Sequence, residues 1–149
     1  MKDQKILPQE IPLAHYRFPV EGVRQSTNKI YAGVHWGKRK KYKDDIHDLV
    51  LEYCHPVKIN GYPVSIEYYF DFVGNGLDTL NCAFMAKCVE DSFRAMGMLD
   101  DDDPPHVAES IIKVTEYRVN KKSLSAAEKS STDLHDWLTV TIRPFVNNG

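Results

Sequence analysis

The sequence predicts a single domain of the α+β class (mixed α/β), with a small mixed sheet of about four strands packed against two main helices. Three segments alternate apolar and polar residues, as half-buried strands do, and two others place apolar residues at helical spacing. Strands with interposed helices are typical of a sheet layered with helices. At 149 residues the chain is most simply one domain, residues 1–149.

The first half of the chain predicts one strand and one long helix. Residues 1–14 are expected to form a loose lead-in, followed by a strand from Tyr16 and a turn at residues 24–29. After Gly37, one apolar stripe at helical spacing predicts a helix that ends before Pro56. The stripe consists of Tyr42, Ile46, Leu49, Val50 and Tyr53.

The second half predicts a strand, a helix and two further strands. Residues 64–72 alternate strictly and are closed by a Gly-Asn-Gly loop. A second helix is expected from about Thr79 to Met96, with Gly97 as its left-handed cap. Two more alternating segments, residues 109–119 and 136–145, predict strands. The polar segment between them, residues 120–132, predicts a flexible loop.

The composition excludes several classes of protein. The apolar content of 42% and the charged content of 27% are ordinary for a soluble globular protein. No apolar run approaches the ~18 residues of a membrane span, and no signal-like segment opens the chain, so we expect an intracellular protein without a membrane partner. Three cysteines without CxxC spacing predict buried, reduced thiols: Cys54, Cys82 and Cys88.

Opposite charges are segregated along the chain. Residues 38–43, "KRKKYK", contain five cations, whereas "GMLDDDDPPHV", residues 97–107, contains four consecutive aspartates followed by two helix-breaking prolines. A net charge of −2 argues against a protein that simply coats nucleic acid. Segregated charge suits an enzyme that acts on a polyanion, although each run could also be only a solvated surface.

Carboxylates frame the second predicted helix. Asp78 precedes it, Lys87 lies on it with Glu90 and Asp91 three and four residues later, and the aspartate run follows it. Clustered carboxylates are the ligands that Mg²⁺ prefers, but a lone aspartate before a helix, such as Asp78, is more often an N-cap, and a pair such as Lys87–Asp91 is more often a surface salt bridge. A helix of about eighteen residues is ~27 Å long. Asp78 and Asp102 therefore meet only if the loop folds back along the helix or comes from a second subunit.

Residues 76–107, "GLDTLNCAFMAKCVEDSFRAMGMLDDDDPPHV", resemble the RusA family of Holliday junction resolvases. In that family an aspartate–asparagine element opens a helix, a lysine and an aspartate lie four residues apart on it, and a Gly-apolar-apolar-x-Asp-Asp element ends it. The residues that match these elements are Asp78, Asn81, Lys87, Asp91 and Gly97–Asp102. Residues 26–45 are similar to the Ser-x-Asn-x-x-Tyr entry and the basic helix of phage-type members.

The resemblance implies Mg²⁺-dependent paired nicking of four-way DNA junctions by a symmetric homodimer, with Mn²⁺ as a substitute metal. It implies that Lys87 is catalytic, and that Asp78 and Asp102 bind the metal, with Asp101 the nearest substitute and Asp91 a further ligand. It places the protein in the cytoplasm of a bacterial or phage-infected cell. The residues expected to contact DNA are Asn28, Lys38, Arg39, Lys40, Lys41 and Lys43.

Two features depart from the family pattern. Family members have a second aspartate at the helix opening, where this sequence has Leu80, and the spacing from Asn81 to Lys87 is three residues longer here. Other aspartates could supply the missing carboxylate: Asp71, Asp91 and Asp103. A non-catalytic binder of branched DNA on the same fold is the alternative function. A small-molecule phosphohydrolase is a third, but it would not need the extended basic run.

The predicted strands carry aromatic residues on both faces. Tyr68 and Tyr69 point to opposite faces of one strand, and Trp137 lies opposite the apolar face of another. A small domain cannot easily bury both faces of every strand, which leaves aromatic surface for a second copy of the chain. The alternative is that helices cover the second face and the chain stays monomeric.

Overall fold

The computed structural model describes residues 11–33, 35–117 and 134–146. In these residues one layer of the domain is a four-stranded mixed sheet and the other is helical, which confirms the predicted α+β class. The strands are β1 (Ala14–Pro19), β2 (Val64–Val73), β3 (Val107–Tyr117) and β4 (Trp137–Pro144). The helices are α1 (Thr27–Tyr31), α2 (Trp36–Tyr53) and α3 (Ala83–Ala95), with two short 3-10 turns at Glu21–Val23 and Leu80–Cys82.

The strands are ordered β1-β4-β2-β3 across the sheet. β4 runs antiparallel to both β1 and β2, whereas β2 and β3 are parallel. Two parallel neighbours need a crossover connection, and α3 provides it between β2 and β3. The register pairs Tyr68 with Val140 on one side and with Ile112 on the other, so these side chains share one face of the sheet.

That face forms the hydrophobic core with α2 and α3. Strand residues such as Phe70 and Leu138 are buried against Val50 of α2 and against Val89 and Phe93 of α3. The alternation predicted for residues 64–72 is confirmed, because all of its apolar positions are buried. Tyr53 is the exception in the apolar stripe of α2, since it is 46% exposed at the end of the helix.

The opposite face of the sheet, here called the open face, carries charged and hydroxyl side chains together with aromatic rings. Lys113 forms an ion pair with Glu67 (2.7 Å), and the Tyr69 hydroxyl donates to Thr115 Oγ1 (3.0 Å). The Arg17 guanidinium lies 3.8 Å from the centroid of the Trp137 ring. Tyr69 and Trp137 therefore lie on this face, as the strand alternation predicts.

The structure differs from the predicted elements at three points. β1 begins at Ala14, two residues earlier than expected. Part of the predicted turn forms α1, whose N-terminus is capped by Ser26 Oγ accepting a hydrogen bond from the Lys29 amide (3.0 Å). The second predicted helix opens with a 3-10 turn before regular α-helix starts at Ala83. Residues 1–10 of the lead-in and the predicted loop 120–132 lie outside the described residues.

The three cysteines are free and buried, as predicted. Burial raises the pKa of Cys54 and of Cys82 to about 12, and that of Cys88 to about 11. The thiols are therefore protonated at neutral pH and have little nucleophilic character. In the part of the chain that the structure describes, no helix combines the length and the apolar character needed to cross a bilayer.

Candidate functional site

The aspartate loop that follows α3 folds back along that helix. Gly97 adopts a positive φ of 77°, as predicted for a left-handed cap, and the next two residues, Met98 and Leu99, are buried in the core. This reversal brings Asp102 to Lys87, whose Nζ lies 2.5 Å from Asp102 Oδ2. The loop therefore folds back along the helix within one chain, which is one of the two routes considered for bringing Asp102 to Asp78, but among the described residues it reaches Lys87 and not Asp78.

Lys87 lies at the centre of a charged cluster. Its ammonium is 3.3 Å from Asp91 Oδ1 and 3.7 Å from Glu90 Oε2, in addition to the Asp102 contact. Arg94, on the same helix, lies 3.4 Å from Asp102 and 3.7 Å from Asp101. The Lys87 cluster thus consists of two cations and four carboxylates: Lys87, Arg94, Glu90, Asp91, Asp101 and Asp102. Its excess of carboxylates favours the approach of a further cation.

The Lys87–Asp102 contact keeps both groups charged. The hydrogen bond from Lys87 lowers the pKa of Asp102 below its ordinary value, and the same bond raises the pKa of Lys87. Lys87 is therefore an ammonium at neutral pH. It can stabilise negative charge, but it cannot act as a neutral base.

A cavity of about 140 Å³ lies beside Lys87, between α3 and the sheet. Glu90 lines it and is only 8% exposed, with the hydroxyls of Tyr68 and Ser110 at 3.4 and 3.5 Å from its Oε1. Burial raises the pKa of Glu90, although the nearby Lys87 ammonium opposes the rise. Burial, reinforced by Glu90, also raises the pKa of Tyr68. Buried carboxyls of this kind are frequent at functional sites.

Glu90, like Arg94, is a residue of this site to which the sequence assigned no role. The available signal was its position three residues after Lys87, which places both side chains on one face of the helix. That spacing does not show that β2 and β3 cover Glu90 with Tyr68 and Ser110, because those contacts depend on the tertiary fold.

Asp78 lies just before the 3-10 turn that leads into α3, and its side chain accepts a hydrogen bond from a backbone amide of that turn. Its Oδ1 accepts a hydrogen bond from the Asn81 amide (2.9 Å), and Asn81 Oδ1 in turn accepts one from the Asn28 amide (3.0 Å). Thr27 Oγ1 accepts from the amide of Phe84 near the helix start (2.9 Å). Within residues 11–33, 35–117 and 134–146, Asp78 shares no hydrogen bond or ion pair with the Lys87 cluster. It has the capping role that the sequence left open as its alternative.

The outer aspartates of the run are engaged elsewhere. Asp100 pairs with Lys58, and Asp103 pairs with His106. By contrast, Asp101 pairs with Arg94, and Asp102 pairs with both Lys87 and Arg94. The two inner aspartates are therefore the members of the run with access to the site.

The Lys87 cluster does not form a preassembled metal cage. Among the described residues, no three His, Cys, Asp or Glu side chains converge closely enough to hold a metal ion. The carboxylates converge on the Lys87 ammonium instead. Mg²⁺ is commonly held by one or two carboxylates together with substrate phosphates. Asp101 and Asp102, which are adjacent and 46% and 26% exposed, fit that mode of binding.

The basic run occupies the first two turns of α2. Its four lysines, Lys38, Lys40, Lys41 and Lys43, are exposed, whereas Arg39 is partly buried. Cations at the N-terminal end of a helix are unfavourable because the helix dipole is positive there, and the first turn of α2 contains no acidic residue. Lys41 pairs with Asp45 of the same helix (3.4 Å), whereas for the cations of the first turn, Lys38 and Arg39, an external anion would offset the unfavourable dipole interaction. Lys43 also lines a cleft of about 200 Å³ together with Asp91, so the basic run adjoins the Lys87 cluster.

Comparisons with known proteins assign no family to this chain. No family model and no curated protein match it. Among solved structures, the hydrogenase maturation protein HypE aligns with 99% of this chain at 14% identity, with a TM-score of 0.25. The chain spans 36% of the length of that protein. A TM-score this low supports no statement about fold or function.

Proposed function

We propose that the protein is a metal-dependent endodeoxyribonuclease that nicks branched DNA, with the four-way junction as its substrate. The main support is the contact of Asp102 with Lys87, which joins an aspartate of the run to the lysine and the buried glutamate that line one cavity. The adjoining basic run of α2 supplies a surface for the DNA backbone. The choice of a four-way junction comes from the resemblance to the RusA family.

Five residues have roles in this proposal. Asp101 and Asp102 would hold Mg²⁺, which would supply Lewis acidity and an activated water. Lys87, an ammonium at neutral pH, stabilises the charge that develops on the phosphoryl oxygens. Glu90, with its raised pKa, lines the cavity and can take a proton from a water there. Asp78 positions the helix opening through its bond to the Asn81 amide.

A nicking assay on a synthetic four-way junction tests the proposal directly. With Mg²⁺ or Mn²⁺ we expect paired nicks on opposite strands, and much slower cleavage of a linear duplex of the same sequence. Chelation of the metal should stop cleavage and leave binding in place. Absence of binding to the junction at low salt would reject both this function and its alternative.

A non-catalytic binder of branched DNA is the alternative function, and one observation favours it. Leu80 stands where the family has its second aspartate, so that position has no carboxylate. Its side chain is 80% exposed. In the nicking assay this alternative predicts junction binding without cleavage at any metal concentration. A small-molecule phosphohydrolase has no comparable support, since such a substrate leaves the exposed lysines of α2 unused.

Neutralisation of two lysines of the basic run should weaken binding to all DNA sequences alike. Lys38 and Lys40 are exposed and at the helix start, where they can contact phosphates rather than bases. In a Lys38→Ala/Lys40→Ala variant the slope of log affinity against log salt should fall by roughly one or two. A Lys58→Ala/Lys113→Ala variant removes the same charge outside α2 and should keep the slope. Equal salt slopes in the wild type and in both double variants would mean that the basic run is only a solvated surface.

We also propose that the protein acts as a symmetric homodimer. A four-way junction has two-fold symmetry, and two equivalent sites supply the two matched nicks. The open face, with Tyr69 and Trp137, is the surface of the described sheet best suited to a second copy. Sedimentation at micromolar concentration should show about 34 kDa, twice the chain mass of 17.1 kDa. A monomer that still nicks both strands would contradict this mechanism.

A further inference from the structure

Trp36 is the first residue of α2 and is 66% exposed. Its indole is not part of the hydrophobic core, and its aromatic neighbour is His35, at a ring-centroid distance of 5.7 Å. His35 has its own structural role, because its Nδ1 accepts a hydrogen bond from the Gly37 amide and caps the helix. A single exposed aromatic residue needs no special explanation. Whether Trp36 has a binding role therefore has to be inferred from its neighbours on the helix.

Those neighbours form one stripe that leads to the Lys87 cluster. Trp36, Lys40, Lys43 and His47 follow one another at spacings of four, three and four residues, which places them on one face of α2. At the inner end, Lys43 and His47 line the cleft that also contains Asp91 of the Lys87 cluster. At the outer end, Trp36 lies roughly 10 Å from Lys43 along the helix axis. The stripe thus combines an exposed aromatic ring with cations that adjoin the candidate site.

We propose that Trp36 is a stacking platform for an unpaired DNA base, on a strand whose phosphates contact Lys40 and Lys43. This inference rests on the proposed function and adds to it a preference for DNA with unpaired bases beside the cleavage site. Bases within a duplex are stacked on one another and cannot cover the indole, whereas bases at a branch point or on a single strand can.

Charge complementarity favours a nucleic-acid strand as the occupant of this stripe. An apolar protein partner would have to cover Lys40 and Lys43 while it covered Trp36, which leaves buried cations without partners. A single-stranded nucleic acid presents flat base surfaces and phosphates on one backbone, so one strand can satisfy both the ring and the cations.

The chain has two tryptophans, and this makes a direct optical test possible. A Trp137→Phe variant leaves Trp36 as the sole indole, and a Trp36→Phe variant leaves Trp137. The probes are a twelve-nucleotide oligothymidylate and a duplex of twelve base pairs. We expect saturable quenching of Trp36 fluorescence by the oligothymidylate and much weaker quenching by the duplex. Trp137 fluorescence, from the open face, should change little with either probe.

Affinity measurements separate stacking from electrostatic attraction. Trp36→Ala should weaken binding of the oligothymidylate roughly tenfold to a hundredfold, leave duplex affinity unchanged and preserve the salt slope. Lys40→Ala should instead lower the salt slope for both probes by about one. Trp36→Phe, which retains an aromatic ring, should recover most of the lost affinity. Because Trp36 is exposed, its replacement leaves the core intact, which circular dichroism verifies.

The outcomes distinguish this inference from the proposed function. If the protein binds and nicks junctions but Trp36 is not quenched, or if Trp36→Ala binds oligothymidylate normally, the stacking role is wrong and the nuclease function stands. If neither probe nor the junction is bound at low salt, the stacking role and the nuclease function are both wrong. Equal quenching by the duplex would also reject the stacking role, since a duplex has no free base surface in its interior.

Discussion

Replacement of Asp102 by asparagine is expected to abolish Mg²⁺-dependent cleavage of a four-way junction while leaving junction binding intact or stronger. Asp102 is the aspartate of the run that reaches Lys87, and asparagine keeps its size but removes the charge that would hold the metal. The substitution also removes a negative charge that repels the phosphates of the DNA. We expect cleavage to fall on the order of a hundredfold or more, as for other groups that stabilise charge in a transition state. Single-turnover nicking, with binding measured in Ca²⁺, separates the two effects.

Asp100→Asn is the matched control for this substitution. Asp100 lies two residues earlier in the same loop and likewise pairs with a lysine, but that lysine is Lys58, outside the cavity. Cleavage by Asp100→Asn should stay close to wild type. If Asp102→Asn also cleaves normally, Asp102 is not a metal ligand, and Asp101→Asn becomes the variant that must lose activity.

The main elements of the fold were predictable because each leaves a local periodic signal. The alternation of residues 64–72 follows directly from a strand with one face in the core, and the apolar positions of α3 follow from burial on one side. The short helix α1 was not predicted, since five residues carry too little periodicity to be distinguished from a turn. The 3-10 opening before α3 depends on hydrogen bonds to Asp78 and Thr27, which are side-chain contacts that periodicity does not report.

The candidate site was predictable only in part. Helical spacing is sufficient to place Asp91 beside Lys87. The approach of Asp102 to Lys87 depends on the reversal at Gly97 and on the burial of Met98 and Leu99, which are tertiary features that helical spacing does not report. The enclosure of Glu90 depends on which strands lie next to α3, and this is a property of topology rather than of local sequence.

Lys87→Ala should remove cleavage about as completely as Asp102→Asn, again with little loss of DNA binding. The Lys87 ammonium is the group on which Glu90, Asp91 and Asp102 converge, and alanine leaves these three carboxylates without their shared cation. The charge that develops on the phosphoryl oxygens then loses its stabilising partner, whereas the basic run of α2 still contacts the DNA backbone. Lys87→Arg should recover little activity, because a planar guanidinium cannot replace a compact ammonium at this position.

Lys58→Ala is the matched control, since Lys58 forms the corresponding lysine–aspartate pair with Asp100 outside the cavity. It should cleave at close to the wild-type rate. The decisive measurement is the double variant Lys87→Ala/Asp102→Asn. If the two residues act as one unit, its cleavage rate should be about that of either single variant, because groups that work together in catalysis lose most of their effect with the first removal. If the two losses instead multiply, Lys87 and Asp102 act independently and their contact does not mark a shared catalytic site.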